Sequence, residues 1–209
     1  MKSSYVIVIF GASGSGKTSL MRLIQQLGGQ YSVHFKTSDR PERKHGDLEL
    51  ISDHNFNPLD FDYVYETYGH RYGIQRSQID KAIQNNKHHF IICNDITTIK
   101  AIKRDYGARV KVIFFYFDAP AKVMLKIQKA RGIHDNEIQK RLAKTVELNR
   151  HFLEYYELFD GTLLNHFGED TDALKDRMKT LLKQLKNQDK ILRSNLRSLA
   201  THLSKSITP

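Results

Sequence analysis

Hydrophobic and polar positions along this 209-residue chain follow two rhythms that alternate from end to end. Tyr5-Val6-Ile7-Val8-Ile9-Phe10 is an unbroken apolar, β-branched run, which predicts a buried strand. Ser19 to Leu27 switches to helical spacing, and Gly28-Gly29 ends that element as a helix C-terminus should. Tyr31 to Phe35 predicts a short second strand. Lys36 to Asp47 is polar, carries Pro and Gly, and has no period, so it reads as a loop. It could open a small lobe in which Leu48 to Ile51 and Tyr63 to Tyr65 pair as strands. Phe56, Phe61, Tyr63, Tyr65, Tyr68 and Tyr72 crowd this region and are expected to serve packing rather than substrate stacking.

Further on, Ser77 to Asn86 predicts a short helix, and His89 to Cys93 a strand ending at Asn94-Asp95. Asp95 to Asp105 puts Ile96, Ile99 and Ile102 on one helical face before Gly107 stops it. Val110 to Phe117 is the strongest strand pattern in the chain, and Asp118-Ala119-Pro120 opens the next helix. Asp135 to Tyr156 predicts a long basic amphipathic helix, Thr162 to Asn165 a fifth strand, and Asp170 the start of a last helix. Strands alternating with helices predict an α/β fold: a parallel sheet of about five strands covered on both faces, with ligands outside the strands' carboxyl ends. In the last helix Leu174, Met178, Leu181, Leu185, Leu192, Leu196, Leu199 and Leu203 form an apolar stripe with Lys and Arg between. Such a stripe either packs on the parent domain or makes a dimer seam, and the gap near Gln188-Asp189 hints at a break. A basic amphipathic helix could also lie on an acidic membrane surface.

Candidate chemistry sits where the first strand meets the first helix. Gly11-Ala12-Ser13-Gly14-Ser15-Gly16-Lys17-Thr18 matches G-x-x-x-x-G-K-[S/T] between a strand and a helix, the context in which that motif is meaningful. Its glycines let successive N–H groups point inward, forming an anion nest at the positive end of the helix. Lys17 can reach the β- and γ-phosphates of a nucleoside triphosphate, and the Thr18 hydroxyl can ligate Mg²⁺. The expected fold is therefore of the P-loop NTPase type, with ATP as ligand.

Composition changes this picture little. The net charge of +10, from 33 Lys and Arg against 23 Asp and Glu, favours anionic ligands. A strand-binding platform needs aromatic and basic residues interleaved, and that is missing, so nucleic acid is not an expected partner. A single cysteine, Cys93, excludes an internal disulfide framework and suggests a reducing compartment. No apolar stretch approaches the ~20 residues of a membrane span, and the N-terminus runs straight into the first strand. A cytoplasmic location is expected.

Several further segments carry a resemblance. Thr37-Ser38-Asp39-Arg40-Pro41-Glu42-Arg43, Tyr72-Gly73, Asn94-Asp95-Ile96 followed by Lys103, Arg131-Gly132 with Arg141-Leu142, and Phe159-Asp160 before Asn165 occur in this order. The chain resembles the guanylate kinase family of nucleoside monophosphate kinases from about Val6 to Leu185. The resemblance implies a kinase domain over residues 1–186, with an acceptor-binding lobe at about 36–75 and a helical lid at about 126–150. Residues 187–209 would form a basic amphipathic helical extension, with self-association of this helix as one of its possible roles. Arg40 and Arg43 resemble the T-T-R-x-P-R arginines that grip the acceptor's phosphate, and Tyr72 the Y-Y-G-T tyrosine that touches it. Asp95 would hold Mg²⁺ through water or orient the acceptor, and also suits a helix N-cap. Arg131 and Arg141 match the lid pattern R-G-x(n)-R-L, where guanidinium forks suit the transferring phosphoryl group. Asn165 matches the asparagine near the donor's adenine.

The resemblance breaks at the base reader. Ile74 stands where the family has a threonine, Leu48 where it has a tyrosine, Tyr63 in register with a glutamate, and Ile127 at the first lid arginine. A guanine edge buried without partners would be rejected by several kcal/mol, on the order of what sites built around polar groups show. The sequence therefore points to an ATP- and Mg²⁺-dependent kinase for a small phosphorylated acceptor, with GMP the leading candidate. A related kinase type with this fold, which phosphorylates a ribosyl bisphosphate, also lacks the guanine-reading tyrosine, so a non-GMP acceptor stays open. A guanylate-kinase-like binding module is the alternative from outside enzymology.

Overall fold

The structure, a computed structural model, describes residues 4–34, 37–39, 55–67, 69–119, 121–130, 132–187 and 190–207. Eight strands and seven α-helices are present among them: β1 (Val6–Phe10), α1 (Lys17–Leu27), β2 (Tyr31–Val33), β3 (Thr37–Ser38), β4 (Tyr63–Thr67), β5 (His70–Ile74), α2 (Arg76–Gln84), β6 (His88–Ile92), α3 (Ile96–Tyr106), β7 (Val110–Asp118), α4 (Ala121–Ala130), α5 (Asp135–Glu154), β8 (Gly161–His166), α6 (Thr171–Lys186) and α7 (Lys190–Ile207). Five strands form one sheet in the order β2-β6-β1-β7-β8, and three form a second in the order β3-β5-β4. In the large sheet β1 runs parallel to β6, β2 to β6, and β7 to β8. Every residue of β1 is buried, as a strand covered on both faces requires.

The chain divides into two compact units. The first comprises residues up to Ile9 together with Thr18–Lys111. Its small sheet is antiparallel: Tyr63 faces Ile74 and Thr67 faces His70 across β4 and β5, and Thr37 faces Gly73 across β3 and β5. The phenols here are anchors, as the sequence suggests. Tyr63 donates to Asp105 of α3 at 2.7 Å, Tyr65 to the Ile92 carbonyl at 3.2 Å, and Tyr65 stacks on Tyr72. The β4–β5 hairpin is not in the sequence reading, which pairs Tyr63–Tyr65 with Leu48–Ile51; residues 48–51 lie outside the described ones. Thr37-Ser38, read as loop, is a two-residue strand.

The second unit comprises Phe10–Lys17 and Val112 onward. Its core is aromatic: Phe114 of β7 stacks on Phe152 of α5 at 4.2 Å, and Phe159 sets its edge against both and against Phe10. The apolar stripe runs through α6 and α7. Leu174, Met178, Leu181, Leu185, Leu192, Leu196 and Leu203 are buried. Gly161 of β8 lies so close to Leu181 and Leu192 that an added Cβ would come within 3.2 and 3.4 Å of their methyl carbons. Leu181 and Leu192 of the stripe thus pack on β8, and Leu199 is half-buried. Among the described residues no helix is long and apolar enough to cross a membrane.

Candidate active site

The glycine loop begins where β1 ends, and the second unit builds a tight setting around it. At Gly11 a Cβ would sit 2.2 Å from the Phe115 backbone carbonyl, so only glycine fits. Gly14 has φ +85°, a left-handed conformation, and Gln128 Nε2 would lie 2.4 Å from its Cβ. This is a cradle that side chains would fill, as a loop admitting phosphate oxygens to its N–H groups requires.

Four side chains from four elements fasten it. Lys17, first residue of α1, donates from Nζ to the Gly11 carbonyl at 2.7 Å and to the Ala12 carbonyl. Asn165 of β8 donates to the Ser15 carbonyl at 2.8 Å. Arg141 of α5 donates from Nη1 to the Ser13 hydroxyl at 2.6 Å. Gln128 of α4 donates to the Ser13 carbonyl at 3.1 Å. Both Arg141 and Gln128 are buried, at 7% and 1% exposure, which is uncommon for such residues unless they are partnered. Glu137, one turn before Arg141, accepts from its Nε at 3.0 Å and from Nη2, balancing the guanidinium charge.

So the structure brings together the loop (Gly11, Ala12, Ser13, Gly14, Ser15, Gly16 and Lys17), Asn165 and Arg141. Arg40, Arg43 and Arg131 lie outside the described residues. Thr18, Asp95 and Tyr72 belong to the first unit. Thr18 is the second residue of α1 and half-buried. Asp95 caps α3, its Oδ1 accepting from the Thr98 N–H at 2.6 Å, so the N-cap role is present. Tyr72 is 3% exposed, packed in β5 against Tyr65.

Gln128 and Glu137 are missing from the sequence reading. Gln128 left a signal: it lies four residues after buried Met124, on the inward stripe of α4, where the helical period asks for an apolar residue. Its Oε1 is buried without a partner, a cost that only its Nε2 contact with the loop offsets.

Two side chains of the first unit carry the donor chemistry that Mg²⁺ takes. The Thr18 hydroxyl and the Asp95 carboxylate are hard oxygen ligands, and Mg²⁺ takes one or two of these plus substrate phosphates and water. Among the described residues no three His, Cys, Asp or Glu group as a metal-binding cluster.

No family model matches the chain, and no curated protein matches it. Among solved structures, the crystal structure of guanylate kinase from Anaplasma phagocytophilum superposes with a TM-score of 0.61 at 16% identity, covering 88% of this chain and 87% of that one. A gluconokinase from Sinorhizobium meliloti 1021 aligns over 99% of both chains at 14% identity, with a TM-score of 0.39 too low to carry an argument. At this level of identity the likeness shows the fold: a P-loop kinase architecture with a parallel five-stranded sheet.

Proposed function

We propose that the chain is an ATP- and Mg²⁺-dependent phosphotransferase that moves a terminal phosphoryl group to a small phosphorylated acceptor, with a nucleoside monophosphate of the GMP type as the leading candidate. The observation that carries this is the second unit's convergence of Lys17, Arg141, Asn165 and Gln128 on one glycine loop. The kinase fold of the structural neighbour supports it.

Phosphoryl transfer needs little covalent chemistry from a protein; it needs charge neutralised and two anions held in line. The loop's N–H groups and Asn165 would seat the donor. Lys17 would exchange the Gly11 and Ala12 carbonyls for phosphate oxygens, an exchange of neutral acceptors for anionic ones that strengthens each hydrogen bond. Arg141, already at Ser13, would follow the transferring group, with Arg131 as its lid companion. Mg²⁺ held by Thr18 and Asp95 would supply further neutralisation of the phosphates. Arg40, Arg43 and Tyr72 would grip the acceptor's phosphate.

A second reading, a phosphorylated acceptor other than GMP, is favoured by one observation. Ile74, which replaces the family's threonine, is 1% exposed and apolar, so it offers no hydrogen bond to a base edge. A panel assay separates the readings: ATP and Mg²⁺ with GMP, dGMP, other nucleoside monophosphates and ribosyl phosphates, following ADP. GMP-dependent ADP supports the first, turnover only with another acceptor the second. Tight ATP retention with no acceptor-dependent turnover would overturn both in favour of a binding module.

A further inference from the structure

The second unit contains a cleft of about 680 Å³ lined by both polar and apolar side chains. Its floor is the β7–β8 ribbon and its walls are α6 and α7. That volume lies within the range of about 300–1,000 Å³ typical of small-molecule sites.

Six neutral polar side chains line it: Tyr116 and Thr162 on the strands, Thr180 and Gln184 on α6, Asn195 and Ser198 on α7. Tyr116, Thr162 and Gln184 are half-buried and Thr180, Asn195 and Ser198 exposed, and among the described residues no side-chain hydrogen bond engages any of the six. On α7, Thr201 donates to the carbonyl four residues back at 2.9 Å and Ser204 to the carbonyl of Thr201. Burial pushes the Tyr116 phenol up, and the Asp118 carboxylate adds to this, so at neutral pH it keeps its proton and can donate.

The charged groups at the cleft are by contrast engaged. Asp118 meets His166 at 3.2 Å, Arg177 donates to the Leu164 carbonyl at 3.1 Å and pairs with Glu169, and Asp176 lies 3.6 Å from Lys179. With its one arginine neutralised and two carboxylates on its walls, the cleft does not share the chain's basic character and offers an anion little. What it offers is a ring of neutral donors and acceptors around an apolar surface made by Leu164, Leu181, Leu199 and the Tyr116 ring. That pairing matches a sugar, whose hydroxyls lie around its edge and whose C–H groups form a face.

The cleft is lined on its strand side by Tyr116, Asp118, Thr162, Leu163 and Leu164, and no residue of the glycine loop is among its lining residues.

We propose that this cleft is a second binding site, separate from the glycine loop, for a neutral polyhydroxylated molecule of one or two sugar rings. The test is a ¹⁵N amide titration of the full chain with glucose, maltose and trehalose, with glucose 6-phosphate as the charged counterpart. At least one neutral sugar is expected to give saturable shifts confined to the 176–184 and 195–202 amides, unchanged when inorganic triphosphate is also present. Ser198→Trp, which fills the cleft, should weaken that binding at least ~10-fold, since each lost 1.4 kcal/mol is about tenfold. Thr180→Val with Asn195→Leu, which keeps the shape and removes the hydrogen bonds, should do the same should the tryptophan variant fail to fold. Absence of shifts with all three neutral sugars, shifts with glucose 6-phosphate alone, or sugar binding undiminished in the variants would overturn the proposal. None of these outcomes depends on whether the loop binds ATP.

Discussion

Two buried histidines make the first unit sensitive to acid. His34, after β2, and His89, in β6, are 5% and 2% exposed and meet edge to face with ring centroids 5.7 Å apart. His89 Nδ1 shares a hydrogen bond with the Ser32 hydroxyl at 2.9 Å, while its Nε2 is buried without a side-chain or backbone partner. Burial lowers the His34 imidazole from 6.5 to about 4, and burial together with the neighbouring His34 lowers His89 to about 3. The sign follows from which state takes up protons. Above pH 6.5 both folded and unfolded chains hold these rings neutral, and the full stability is present. Between 6.5 and about 4 the unfolded chain is protonated at His34 and the folded chain is not, so stability falls as pH falls. At about 1.4 kcal/mol per pH unit the full loss for His34 approaches ~3 kcal/mol, of which ~2 kcal/mol is reached by about pH 5, and His89 adds a comparable amount. Against a total of roughly 5–15 kcal/mol for a domain this is large. Urea unfolding at pH 7.5, 6.0 and 5.0 should show it, with a midpoint that drops steeply below about 6.5. In His34→Phe, an aromatic replacement that cannot protonate, part of that slope should vanish. A wild-type midpoint that is equal at pH 5 and 7.5, or a variant with the full slope, would refute the reasoning.

Two substitutions probe the glycine loop from the second unit. Gln128→Leu removes both the Ser13 contact and the unpartnered Oε1, so the melting temperature should move little; ATP affinity in a calorimetric titration should fall several-fold because the loop loses its hold. Gly14→Ala places a Cβ at φ +85° and against Gln128 Nε2, with a strain of about 1–2 kcal/mol. It should lower the urea midpoint and weaken ATP more than Gln128→Leu does; equal behaviour of the two would show that Gly14 tolerates a side chain.

Much of this was legible in the amino-acid order because local chemistry determines it. β1 is continuous apolar residues and β7 nearly so, and their burial on both faces follows directly. Gly107 at φ +56° stops α3 where its residue type says it should. The β4–β5 hairpin was not legible, because Val64 and Glu66 alternate with Tyr63, Tyr65 and Thr67 over a span too short to declare its partner. At the site, the glycine loop announces itself by composition, but Gln128 acts through a tertiary contact 115 residues from Ser13. A buried glutamine on a helix stripe shows in sequence only as an interruption of the pattern. The 128-residue separation of Arg141 from Ser13 is bridged in the sequence only by resemblance, and the structure supplies the contact.

The most direct test of the loop's role is an ATP titration of the full chain in Mg²⁺, measured calorimetrically beside Lys17→Ala. Wild type should bind one ATP, and the variant, with the same melting temperature, at least ~10-fold more weakly, as loss of a charge-assisted phosphate contact of roughly 1.5–3 kcal/mol requires. Undetectable binding by the wild type, or equal affinity in the two proteins, would contradict the account.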